Sequence, residues 1–88
     1  MDELEKRKVE LRNHIGKMVR HFKNKKYLIL YIAICTETEN ELVIYKALYG
    51  NCGVFARPID MFVSRVDKEK YPDVNQKWRF ELEFNSKL

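Results

Sequence analysis

The chain has 88 residues, a net charge of +4 and eleven aromatic side chains of the Phe, Tyr and Trp types. That length makes one domain, and the 45% apolar content is enough for a core without metal or disulfide staples. Two cysteines, Cys35 and Cys52, are too few for a disulfide framework and point to a reduced cytoplasmic location. The opening Met-Asp-Glu-Leu-Glu-Lys-Arg-Lys lacks the apolar stretch of a secretory signal. The longest apolar run, Tyr27 to Cys35, is far short of the ~20 residues that span a bilayer.

Residues 2–15 read as a helix. Asp2 is placed to cap it, Glu5 completes a capping-box pattern, and Gly16 is a natural stop. Leu4, Leu11, Ile15 and Met18 recur at helical spacing, with Lys8 interrupting the stripe. So narrow a stripe has to pack on something.

From Lys17 the period shifts toward strands. Met18 to Lys23 is a first strand, turned by Asn24-Lys25, and Lys26 to Cys35 is a second. Tyr27, Ile29, Tyr31, Ala33 and Cys35 share one face of that second strand, and Leu28, Leu30, Ile32 and Ile34 the other. Two apolar faces predict that both are covered, the second by the N-terminal helix or by a partner subunit. Thr36 to Asn40 is a polar connection. Glu41 to Tyr49 is a third strand, and Gly50-Asn-Cys-Gly53 a tight turn. Val54 to Arg57 is a short fourth strand. Pro58 suits the first position of a helical turn through Met61, and Phe62 to Val66 returns as a strand. After a polar loop over Asp67 to Gln76, Lys77 to Phe84 alternates strictly, with Trp78, Phe80, Leu82 and Phe84 on one face.

Short strands, tight turns and a late strand predict a mainly β fold. The expected form is a small Src-homology-three-like barrel of five to six strands with an added N-terminal α-helix. Residues 1–16 form the helix packed on the barrel, 17–84 the barrel domain and 85–88 a tail. An open sheet with a helix on one face is the alternative.

Five segments fall in one order: VRHFK (Val19 to Lys23), ETENELVIYKALYG (Glu37 to Gly50), ARP (Ala56 to Pro58), MF (Met61, Phe62) and RFE (Arg79 to Glu81). Together they resemble a family of small bacterial domains, number sixteen fifty-three in the domain-of-unknown-function series. The resemblance runs from about Val19 to Glu81 and implies a compact Src-homology-three-like β-barrel in a short cytoplasmic protein or an appended module. It implies no activity. The chain departs from the family at Val19, where an aromatic is usual, at Asn24, where a glycine is usual, and at Phe55-Ala56, where Trp-Val is usual. The N-terminal helix lies outside the resemblance.

Catalytic chemistry finds no pattern here. Ser64, Ser86, Cys35 and Cys52 stand in no nucleophile-elbow or helix-start context. His14, His21 and the separated cysteines have no metal-ligand spacing. No residue set calls for a cofactor, and the protein reads as a non-enzyme.

The candidate ligand-binding set is His21, Tyr45, Tyr49, Phe55 and Arg57, polar or aromatic residues embedded in strands. Tyr45 and Tyr49 share a strand face, as do Phe55 and Arg57 across the turn. An arginine beside rings stacks on them and takes a carboxylate or phosphate in two-pronged fashion. The matching partner is an acidic peptide, a protein segment or a small anion. The same residues also fit scaffold roles, with Tyr45 and Tyr49 as core rings and Arg57 paired to a turn acid such as Glu37.

Between Leu11 and Thr36 lie six basic residues and no acid; five of them, Lys17, Arg20, Lys23, Lys25 and Lys26, are candidate nucleic-acid contacts. Self-association as a homodimer, through the apolar outer face of the second strand, is a third reading.

Overall fold

The computed structural model describes residues 1–82. Helix α1 (Glu3–Arg12) leads into strands β1 (Met18–His21), β2 (Lys25–Ile34), β3 (Glu41–Ala47) and β4 (Val54–Pro58). A short helical turn α2 (Ile59–Phe62) and strand β5 (Phe80–Leu82) follow. The five strands form one antiparallel sheet in the order β4-β3-β2-β1-β5.

The mainly β class with an N-terminal helix holds. The sheet is not closed into a barrel: β4 and β5 are its two edges, and among the described residues no ladder joins them. The strands curve instead around a core of Val19, Ile29, Val43, Tyr45 and Phe80. Leu11 from α1 and Ile59, Phe62 and Val63 around α2 fill the concave side.

Asp2 caps α1 as its sequence suggests, its Oδ1 accepting the Glu5 amide at 2.8 Å. The face that packs differs from the expected Leu4–Leu11–Ile15 stripe. Leu4 and Ile15 are largely exposed, while Arg7 and Leu11 are buried. Arg7 is tolerated there because its guanidinium finds oxygen partners: Nε donates to the Val63 carbonyl at 3.0 Å and a terminal nitrogen to the Phe80 carbonyl at 2.8 Å. Its plane also lies 4.2 Å from the Trp78 ring centroid. Burial pulls its pKa below the ordinary arginine value. Ion pairs from Glu3 to Arg65 and Lys77, from Lys8 to Asp60 and from Arg12 to Glu41 surround this contact. The helix therefore packs on the core side of the sheet and is not the lid of its outer face.

The two faces of β2 also need correction. The β2–β3 register shifts between Ile29 and Tyr31, leaving Leu30 as a bulge. Before it Tyr27 and Ile29 face the core; beyond it Ile32 opposes the buried Val43, and Tyr31 turns outward, 68% exposed. One extra residue exchanges the faces of the far half of the strand.

The two late strands differ from expectation. Phe62 to Val66 is not a strand: Phe62 ends α2, and the Val63 and Ser64 amides bond back to the Ile59 and Met61 carbonyls. Only Arg65 pairs, as a single bridge to Trp78. Val63 and Val66 are buried, so the segment packs as a turn beneath the sheet. In the last strand Phe80–Leu82 forms the ladder; Glu83, Phe84 and the expected tail lie outside the described residues. Asn24 occupies its turn at φ 63, the left-handed region that asparagine tolerates better than most residues. Among the described residues, no helix is long and apolar enough to cross a membrane.

Candidate functional site

Alternation along three strands, β1, β3 and β4, brings four of the five candidates together. Register places Phe55 opposite Tyr45 and Arg57 opposite Val43, all on the concave face. His21 opposes Phe80 on one side and Lys25 on the other. Tyr49 lies beyond the end of β3 rather than on it, in the turn after Ala47, and its ring returns to meet Tyr27. All five candidate residues thus gather at one end of the concave face.

Two further rings bind the group into a unit. Tyr27 packs edge-on against Tyr45 at 5.2 Å, Tyr49 at 5.5 Å and Phe80 at 5.7 Å between ring centroids. Phe80 meets His21 at 4.9 Å and stacks on Phe62 at 4.0 Å with planes 5° apart. The Tyr27 and Tyr49 hydroxyls share a hydrogen bond of 2.5 Å. Tyr45 and Phe55 lie 5.8 Å apart. Each such pair contributes about 0.5–1.5 kcal/mol beyond the area it buries, so the cluster is self-supporting. Below it Tyr45 is buried; at its rim Tyr49 is 40% and Phe55 47% exposed. Gly53 permits the rim geometry, because a Cβ there would meet the Phe55 ring at 3.1 Å.

Arg57 is the charged member. Its Nε donates to the Tyr45 hydroxyl at 3.2 Å, and its guanidinium lies 5.9 Å from the Phe80 centroid. Glu37 is not its partner: among the described residues no carboxylate lies within ion-pair distance of Arg57. The Tyr45 bond spends one donor of five.

His21 is held neutral. Burial, followed by the charges of Arg57, Arg79 and Lys23, pushes its pKa down to about 4. The geometry agrees, since the Lys23 amide donates to His21 Nδ1 at 3.1 Å and that bond requires an unprotonated nitrogen. Burial and the bond to Tyr49 raise the Tyr27 hydroxyl above its ordinary value, so it keeps its proton.

A pH dependence follows from His21. In the unfolded chain the imidazole takes up a proton near pH 6.5. In the folded protein it waits until about pH 4. Between those values the unfolded state binds more protons, so acid destabilises the fold through that window and the contribution levels off below it. Melting temperatures between pH 7 and 4 are expected to fall less steeply in His21→Asn than in the wild type. Equal slopes would remove His21 as the titrating group.

The sequence reading missed Tyr27 and Phe80 as site members. Tyr27 sits where β1–β2 pairing brings it opposite Val19. Phe80 comes from the RFE segment, nearly sixty residues after His21, and only the β1–β5 pairing joins them. The basic candidates are divided by register. Arg20 opposes Lys26 on the outer face, while His21 opposes Lys25 on the concave face. Arg20 pairs with Glu81 at 2.6 Å, Lys23 lies 5.5 Å from the Tyr71 centroid, and Lys25 lies 4.9 Å from that of Tyr49.

Comparison with known proteins meets the same segments. No curated protein matches. The crystal structure of a protein of the DUF1653 family from Bordetella bronchiseptica is similar at 26% identity and a TM-score of 0.66, covering 81% of this chain and 88% of that one. The family model described as "Protein of unknown function (DUF1653)" matches residues 17–82, which takes in every residue of the aromatic cluster and leaves α1 outside. With three quarters of its length inside that match, the chain belongs to the DUF1653 family.

Proposed function

We propose that the domain is a non-enzymatic binding module that recognises an acidic peptide, protein segment or small anion at the surface made by His21, Tyr27, Tyr45, Tyr49, Phe55 and Arg57. The observation that carries this reading is Arg57. Its guanidinium is oriented by the buried Tyr45 hydroxyl, lies over the buried Phe80 ring, and has no carboxylate partner among the described residues. A guanidinium so placed is pre-organised for a carboxylate or phosphate. His21 supports the same reading, since the positive field of Arg57, Arg79 and Lys23 that keeps it neutral also attracts an anion.

The test is a titration of isotopically labelled protein with inorganic phosphate and with N-acetylglutamate, followed by nuclear magnetic resonance. The Arg57 Nε–H and the Tyr49 and Phe55 rings are expected to shift in a saturable way, and Arg57→Gln to abolish the response. The substitution removes one hydrogen bond worth about 1 kcal/mol, so its melting temperature should fall by no more than about 8 °C. A variant that responds like the wild type would remove the site.

A further inference from the structure

The site lies on a sheet edge that is unpaired among the described residues, and that edge suits one kind of partner. Among those residues β4 bonds to β3 on one side only. The Ala47 amide donates to the Gly53 carbonyl at 2.8 Å, and the register runs Lys46 to Val54, Tyr45 to Phe55 and Val43 to Arg57. In an antiparallel ladder the bonded pairs alternate, so Gly53, Phe55 and Arg57 turn their backbone groups toward β3. The amides and carbonyls of Val54 and Ala56 therefore point away from the sheet. Pro58 is in phase with them, at the position where an edge strand loses nothing by lacking an N–H. Val54, Phe55 and Ala56 are all exposed, and the β3–β4 ladder runs without a bulge.

Resting on the binding-module reading above, we infer that the partner is an extended acidic segment of another protein that adds to β4 as a sixth strand. Its backbone pairs with Val54 and Ala56, while alternate acidic side chains reach Arg57. Main-chain bonds supply register, and Arg57 supplies the preference for acid. The strand's other face lies beside Val54 and Ala56, which favours small or β-branched side chains there. A second copy of this chain suits the edge less well. Pairing β4 with its twin would bring the Arg57 guanidinium of each copy onto one joined face.

The probe is the peptide acetyl-Glu-Thr-Glu-Val-Glu-Thr-amide, with its acids on one face of a strand, and a control with lysine in place of each glutamate. Amide hydrogen exchange of the whole chain is followed residue by residue. Saturating acidic peptide is expected to slow exchange at Val54 and Ala56 at least tenfold, with the lysine peptide leaving both unchanged. Ala56→Pro removes an outward donor, not a ladder bond, and is expected to abolish that protection and weaken binding at least tenfold. Should that variant fail to fold, wild-type exchange alone decides. Protection absent at Val54 and Ala56 overturns strand addition, as does equal protection by the lysine peptide. If phosphate still shifts Arg57 in that case, the anion site stands without the strand; if it does not, both readings fall.

Discussion

Phe80→Ala is expected to destabilise the domain by about 3–5 kcal/mol, the range for emptying a fully buried phenylalanine site. The size follows from what the ring touches. It stacks on Phe62, meets His21, Tyr27 and Tyr45 edge-on, and lies under the Arg57 guanidinium. The cavity opens between rings that hold one another in place, so collapse around it is incomplete. For a domain of this length the melting temperature should drop by about 15–30 °C, and calorimetry or circular dichroism measures it. The anion response at Arg57 should weaken in the same variant even where it remains folded. A loss below about 1 kcal/mol would mean that Phe80 is not the keystone of the cluster.

Arg7→Met is the second large effect, at about 3 kcal/mol. Methionine keeps an unbranched apolar stem but ends short of the guanidinium, so the loss is dominated by two charge-assisted bonds to the Val63 and Phe80 carbonyls, each worth about 1.5–3 kcal/mol. Both carbonyls would then lie under a buried apolar chain without their donor. Arg7→Lys should recover little, because a single ammonium cannot reproduce the planar fork or its stacking on Trp78. Denaturant titration gives the comparison. A lysine variant as stable as the wild type would show that charge alone, rather than the fork, is what the position requires.

These two residues mark where the sequence was legible and where it was not. The strand order along the chain, the turns at Asn24 and Gly50, and the cap at Asp2 rest on local chemistry, and local chemistry is what a sequence displays. Arg7 breaks the rule that charged residues stay outside, because its partners are carbonyls 56 and 73 residues away. No feature near Arg7 announces them. The Leu30 bulge was hidden for a different reason. Every residue from Tyr27 to Cys35 is apolar, so the run carries no polar alternation from which a slip of phase could be read. The open sheet turns on long-range pairing too, with β5 closing onto β1 rather than onto β4. The site was half legible. Tyr45, Phe55 and Arg57 declare themselves by alternation on either side of one tight turn, whereas Tyr27 and Phe80 join only through pairings made at a distance.

The reach of Arg7 also has a bearing on biosynthesis. The helix that carries it leaves the ribosome ahead of every strand of the sheet, yet the Phe80 carbonyl it needs is 73 residues behind. At about 5–20 residues per second, that oxygen follows some 4–15 seconds later. Until then the guanidinium lacks one of its two carbonyl acceptors, and the core around Leu11 lacks the Phe80 ring. Docking of α1 is therefore completed only once Phe80 has been translated, and a nascent chain stalled before Phe80 would display an incompletely docked helix as a substrate for chaperones.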